Sequence, residues 1–240
     1  AKNMRLFISG SAPLLAETHE EFTRRTGHHI LERYGMTETN MITSNPYNGE
    51  RRPGTVGKPL PDVEIQINDS QTGRENADGE IGMIEVRGPN VFKGYWNMPD
   101  KTALELKENG FFITGDLGKL SSDGYLSIVG REKDLIITGG YNVYPKEIED
   151  VLHAHPDIRE AAVVSMPHAR LGEGVCAFLT GQSNEFRALK LTVADLYPFL
   201  SQSGLARQKW PEKVVVLDDF ERTASGKIRK DLLRQGLRED

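Results

Sequence analysis

Gly130-Arg131-Glu132-Lys133-Asp134-Leu135-Ile136-Ile137-Thr138-Gly139-Gly140-Tyr141-Asn142-Val143-Tyr144-Pro145-Lys146-Glu147-Ile148-Glu149 is the stretch on which the fold turns. Arg131 to Asp134 is an unbroken charge run, and it interrupts the alternating apolar pattern that precedes it. After it a new strand is expected at Leu135 to Ile137, then a glycine turn. A helix should open at Pro145, where a missing N–H costs nothing and the fixed φ suits the first turn, and run to about His153. A charge run followed by a fresh strand, turn and helix marks a boundary between two folding units.

Downstream, apolar segments at Ala161 to Val164, Val175 to Leu179 and Val214 to Leu217 are spaced as strands. Helical patterns lie near Val193 to Leu200 and from about Lys227. Residues 131–240 are therefore expected to form a compact α+β domain. Upstream, from Pro53 to Val129, short alternating pieces such as Val63-Glu64-Ile65-Gln66-Ile67 and Met83-Ile84-Glu85-Val86 are separated by Gly, Pro, Asn and Asp. That pattern suggests a β-rich, barrel-like unit. Further upstream, Arg5 to Ser9, a helical pattern from about Leu14 to Arg25 and the run His29 to Arg33 give strand–helix–strand order, a piece of parallel α/β sheet. Residues 1–130 form the expected first unit.

Composition narrows the functional classes. The 240 residues are 38% hydrophobic, enough for an ordinary core, and the net charge of -5 gives no reason to expect nucleic acid or an anionic membrane as partner. Cys176 is the single cysteine, which excludes an internal disulfide, argues against a cysteine-based zinc site and suits a reducing, cytoplasmic setting. No apolar run approaches the ~20 residues of a membrane-spanning helix. No secretory leader is legible at Ala1-Lys2-Asn3-Met4, and no internal repeat appears.

Five motifs carry chemistry. Ser9-Gly10-Ser11-Ala12-Pro13-Leu14 joins a strand to a helix, where small residues and free N–H groups can accept a ligand; a plain turn has the same look. Tyr34-Gly35-Met36-Thr37-Glu38 follows the next strand, where open α/β sheets place their sites. There Thr37 and Glu38 can serve a phosphate and Mg2+, or merely cap a helix. Thr114-Gly115-Asp116 closes the apolar run Phe111-Phe112-Ile113; Asp116 can bind a ribose diol or sit in a tight turn. Arg131 and the Gly139-Gly140 pair offer a phosphate or ribose contact and room for a narrow ligand, or a solvated charge cluster and a turn. Finally Arg222-Thr223-Ala224-Ser225-Gly226-Lys227-Ile228-Arg229 places a lysine at a loop-helix junction. Its spacing is not that of a P-loop. Lys227 can stabilise charge in a phosphoryl-type transition state, or belong to a basic solvated helix.

In order and spacing these pieces resemble the adenylate-forming superfamily: acyl-CoA synthetases, aryl-CoA ligases, firefly luciferase and peptide-synthetase adenylation domains. The resemblance extends from about Phe7 to Lys230. It implies an AMP-forming acid–thiol ligase that uses ATP, Mg2+ and coenzyme A to turn a carboxylic acid first into acyl-AMP and then into acyl-CoA. By the same resemblance Ser11, Ala12 and Pro13 lie against adenine, and Tyr34, Gly35, Met36 and Thr37 border the nucleotide. Thr37 would contact the phosphate and Glu38 would hold Mg2+, while Asp116 would bind the ribose hydroxyls and Arg131 would add a ribose or phosphate contact. Lys133 falls at a hinge, Lys227 bridges carboxylate and α-phosphate, and Gly139, Gly140 and Tyr141 face pantetheine. The implied architecture is the end of a large domain, with a parallel α/β piece and a distorted β-barrel, followed by a small mobile domain. The family's Ser/Thr/Gly-rich phosphate loop has no counterpart in the sequence, so a missing N-terminal half is implied as partner and the piece alone is expected to be inactive. Glu221 stands where the family often has proline.

Glu32-Arg33-Tyr34-Gly35-Met36-Thr37-Glu38-Thr39-Asn40-Met41 and Gly88-Pro89-Asn90-Val91-Phe92-Lys93-Gly94-Tyr95-Trp96 resemble malonyl-CoA synthetases, whereas Leu205 to Val216 is closer to short- and medium-chain ligases. Arg33 at a position that lines the family's acyl pocket suits a second carboxylate; a structural arginine is the alternative. An adenylation domain feeding a carrier protein, a non-catalytic nucleotide-binding fragment and a homo-oligomer stay open.

Overall fold

The computed structural model describes residues 1–182, 191–224 and 226–237. The chain divides into two compact units, Ala1–Glu132 and Lys133–Asp240. The division falls inside a 3-10 turn, Glu132–Asp134, where the charge run lies.

The first unit opens with β1 (Ile8–Ser9), α1 (Ala16–Thr26) and β2 (Leu31–Met36), and β1 and β2 pair in parallel with Ile8 opposite Leu31. The strand–helix–strand reading holds. Helix α1 ends at Gly27, whose φ of 73° suits a residue without Cβ and whose N–H donates to the Thr23 carbonyl. Glu17 in its first turn and Arg24 and Arg25 in its last complement the helix dipole. Strand β2 continues past Arg33 to Met36, because β3 (Asn40–Ser44) folds back on it; β4 (Lys58–Pro59) then pairs with β3. Thr37 and Glu38 thus lie in a hairpin turn, and the helix-capping alternative does not apply.

A second sheet contains β5 (Glu64–Asn68), β6 (Gly82–Arg87), β7 (Phe112–Leu120) and β8 (Leu126–Arg131) in that order, every neighbour antiparallel. It is an open meander: among the described residues β8 does not return to β5, so the expected barrel is not closed. A short helix α2 (Pro99–Glu105) starts on its proline between β6 and β7. Ile42, Ile67, Ile84, Val86 and Leu126 meet in one cluster with Tyr34. Each such side chain, fully buried, contributes about 1.5–3 kcal/mol.

The second unit runs β9 (Ile136–Thr138), β10 (Tyr141–Val143), α3 (Pro145–His153), β11 (Ile158–His168), β12 (Gly172–Gly181), α4 (Val193–Gln202), β13 (Lys213–Leu217) and α5 (Lys230–Gly236). The sheet order is β10-β9-β12-β11, with β13 parallel to β12. The two-residue period of β11 sends Ala161 and Val163 into one core with α3 and α4, and Ala162 and Val164 into another with Cys176, Phe178 and Phe220. The last helix starts at Lys230, not at Lys227: the preceding residues are held in a closed loop, and Ser225 lies outside the described residues.

Candidate active site

Asp116 is the centre of the first group. It lies within β7, not in a turn at its end, and is 5% exposed. Gly115 has φ 72°, a left-handed residue inside the strand, which is why its sequence imitates a turn. The Asp116 Oδ2 accepts from the Tyr34 hydroxyl at 2.6 Å and Oδ1 accepts from Arg131 Nε at 2.8 Å across the β7–β8 pair. Its own N–H donates to Thr114 Oγ1 at 3.1 Å. Burial, then the charge of Asp116, pushes the Tyr34 phenol above its usual range, so it remains a donor. A carboxylate has about four lone-pair sites, so two protein donors leave room for a diol. Arg131 is half exposed, and its terminal nitrogens have no acceptor among the described residues.

The second group is the β2–β3 turn. Gly35 is required there, because a Cβ would stand 2.1 Å from the Asn40 carbonyl oxygen. Asn90 Nδ2 donates to the carbonyls of Thr39 at 2.8 Å and Met41 at 3.1 Å, and Phe92 N–H donates to the Glu38 carbonyl at 2.8 Å. The turn is therefore fixed from the segment after β6. Tyr95 Oη lies 3.0 Å from Glu38 Oε1 and 2.6 Å from Glu105 Oε2, with Lys101 Nζ 3.9 Å above its ring. A phenol has one proton, so it serves one of these carboxylates at a time. Glu38 Oε2 has no donor among the described residues. No cluster of three or more His, Cys, Asp or Glu occurs among them, so a divalent cation here would need Glu38 together with phosphate and water oxygens. Mg2+ is commonly held in that way, and the residues fit it. Asn90, Tyr95 and Glu105 were not expected in these roles, because each acts on a residue far along the chain.

Ser11, Ala12 and Pro13 are exposed in the turn between β1 and α1, with Ser11 at φ 69°. Arg33 is exposed and lies against this turn: a Cβ on Gly10 would sit 3.3 Å from Arg33 Cγ. Successive residues of β2 point to opposite faces, so Tyr34 reaches Asp116 while Arg33 reaches Gly10. Arg33 has no acid partner among the described residues. Tyr34, Asp116 and Arg131 are thus brought together, with Glu38 and Tyr95 as a second cluster and Arg33 beside Gly10 as a third.

In the second unit Gly139 and Gly140, at φ 54° and 85°, make the two-residue turn between β9 and β10. Both central positions of such a turn need positive φ. Tyr141 follows, 59% exposed, and the Gly139 N–H donates to the Leu171 carbonyl. Lys133 is exposed in the 3-10 turn, and its neighbour Asp134 is bound by Arg234 at 2.5 Å. Lys227 is exposed three residues before α5, and its ammonium meets no acid among the described residues.

The chain belongs to the AMP-binding enzymes: their family profile matches residues 1–96, and the profile of the AMP-binding enzyme C-terminal domain matches residues 147–227. Among individual proteins it is 38% identical to a probable CoA ligase of Humulus lupulus, over 99% of this chain and 40% of that one. It is 37% identical to the malonate–CoA ligase of Arabidopsis thaliana, over 99% of this chain and 39% of that one. The ATP-bound structure of MatB from Rhodopseudomonas palustris matches at TM-score 0.91 and 55% identity, over 97% of this chain and 45% of that one. The chain spans about two fifths of the length of these curated relatives. No described helix is long and apolar enough to cross a membrane.

Proposed function

We infer that this chain is the C-terminal part of an AMP-forming acyl-CoA synthetase whose acid is malonate. The observation that carries the class is the Tyr34–Asp116–Arg131 group beside a hairpin presenting Glu38. The acid is supported by the 55% identity to MatB and 37% identity to the Arabidopsis malonate–CoA ligase, with Arg33 as the charge available to a second carboxylate.

In this reading ATP lies with its adenine along Ser11-Ala12-Pro13 and the Tyr34-Gly35-Met36 strand, and its ribose hydroxyls donate to Asp116 while Arg131 holds the carboxylate's geometry. Thr37 offers a hydroxyl to phosphate. Glu38 would hold Mg2+, which neutralises phosphate charge when bound. Lys227 places a positive charge between the attacking carboxylate and the α-phosphate, where negative charge grows as pyrophosphate leaves. Rotation at Lys133 then withdraws Lys227 and brings the Gly139-Gly140-Tyr141 turn to the thiol of coenzyme A.

The test uses the full-length protein, with acid-dependent pyrophosphate release and thioester formation measured across a panel of acids. Malonate should give the highest kcat/KM. Lys227→Ala should lower adenylation by ~10²–10³ while thioester formation from supplied acyl-adenylate survives. Absence of acid-dependent pyrophosphate release would sink the class, and a monocarboxylic optimum would sink malonate.

A further inference from the structure

The loop that presents Lys227 is closed on itself. Arg222 and Ile228 form a β-bridge, Thr223 N–H donates to the Lys227 carbonyl at 2.8 Å, and Lys227 N–H donates to Thr223 Oγ1 at 3.1 Å. Outside the bridge, Arg229 N–H donates to the Glu221 carbonyl at 2.9 Å. Ile228 packs into the core face with Ala162, Val164 and Phe220. These contacts shape the loop internally and leave its direction to be set by what joins it to β11.

Besides Ile228, a charged side chain ties the tip to β11. Arg222 Nη2 donates to Glu160 Oε1 at 2.7 Å and Oε2 at 2.6 Å, and Arg222 Nη1 donates to the Gly226 carbonyl at 3.3 Å. The same guanidinium thus joins β11 to the residue immediately before Lys227. Arg159, next to Glu160, binds Asp219 at 2.9 Å and so holds the other approach to the loop. Both partners of the Arg222–Glu160 pair are about one-third exposed, and partly exposed ion pairs contribute little to stability. What a planar fork contributes instead is direction.

We propose that Arg222, clamped by Glu160, is a positioning residue that fixes the base from which Lys227 reaches the reacting carboxylate and α-phosphate. This rests on the reading of Lys227 given above. A lysine has a long flexible stem, and its charge is useful only if the backbone beneath it is held; misplacement by about 1 Å can cost ~10²-fold.

The experiment compares Arg222→Ala, Arg222→Lys, Glu160→Gln, Lys227→Ala and the double variant Arg222→Ala/Lys227→Ala in the full-length enzyme. Adenylation, thioester formation from supplied acyl-adenylate, and hydrogen exchange across residues 222–228 are measured on each. Arg222→Ala should lower adenylation by roughly 10- to 100-fold, leave thioester formation unchanged, and speed exchange across the loop. Arg222→Lys should behave similarly, because it keeps the charge and loses the fork, whereas Glu160→Gln should show a smaller loss in the same half-reaction. Adding Arg222→Ala to Lys227→Ala should cost nothing more. Equal loss in both half-reactions, additive losses in the double variant, or unchanged adenylation and exchange in Arg222→Ala each overturn the proposal. A Lys227→Ala enzyme with intact adenylation overturns the role of Lys227 itself, and the exchange data then still report whether Arg222 holds the loop.

Discussion

Arg33 leaves β2 on the face opposite Tyr34, lies along Gly10 and meets no acid among the described residues. A guanidinium so placed is available for an anionic group of the substrate. Truncating one partner of a charged, hydrogen-bonded pair commonly costs ~2–5 kcal/mol, part of it the penalty on the partner left behind. Arg33→Ala in the full-length enzyme should therefore lower kcat/KM for malonate by about 30-fold or more, with propionate little changed. Parallel losses for both acids would make Arg33 a structural residue. Asp116 differs in kind: both of its oxygens already have protein donors, so its direction is set before any nucleotide arrives.

Cys176 shows what an element imposes on a residue. It faces the second core of the small unit from β12, between Ala162, Val164 and Phe178, and burial pushes its thiol up to about 12. The folded protein should not react with a disulfide reagent at mildly alkaline pH, and reaction should appear on denaturation; prompt labelling of native protein would show that β12 opens locally. From the ordinary 9.0 towards about 12, the unfolded chain releases the thiol proton first, so this group's contribution to stability is lost as pH rises. Such strands are legible because Ala161 to Val164 is a short continuous apolar run, buried on both faces, and α3 because Pro145 opens it. The sequence puts Asp116 at a strand end because Gly115 looks like a turn; Gly115 takes a left-handed φ at a shift in the β6–β7 register, and the strand continues past it. Barrel closure depends on which distant edges meet, and local pattern carries no record of that. The Tyr95 contact to Glu38 spans 57 positions in the chain and was equally hidden.

At the scale of the whole molecule the chain passes from one unit to the other within the turn Glu132–Asp134. Lys133→Pro restricts φ at that point and disfavours the helical conformation of Glu132. In the full-length enzyme it should depress one half-reaction more than the other; both steps intact would remove Lys133 as the pivot. Beyond that turn, β11 and β12 pair continuously from Ala161 opposite Leu179 to His168 opposite Gly172. The glycine turn is fastened to this ribbon through the Leu171 carbonyl and the Lys227 loop through Glu160. Both are spokes of one wheel. If Lys133 is the pivot proposed above, a rotation there would carry both through the same angle at the same moment, so the arrival of one and the departure of the other would be a single event with a single rate constant.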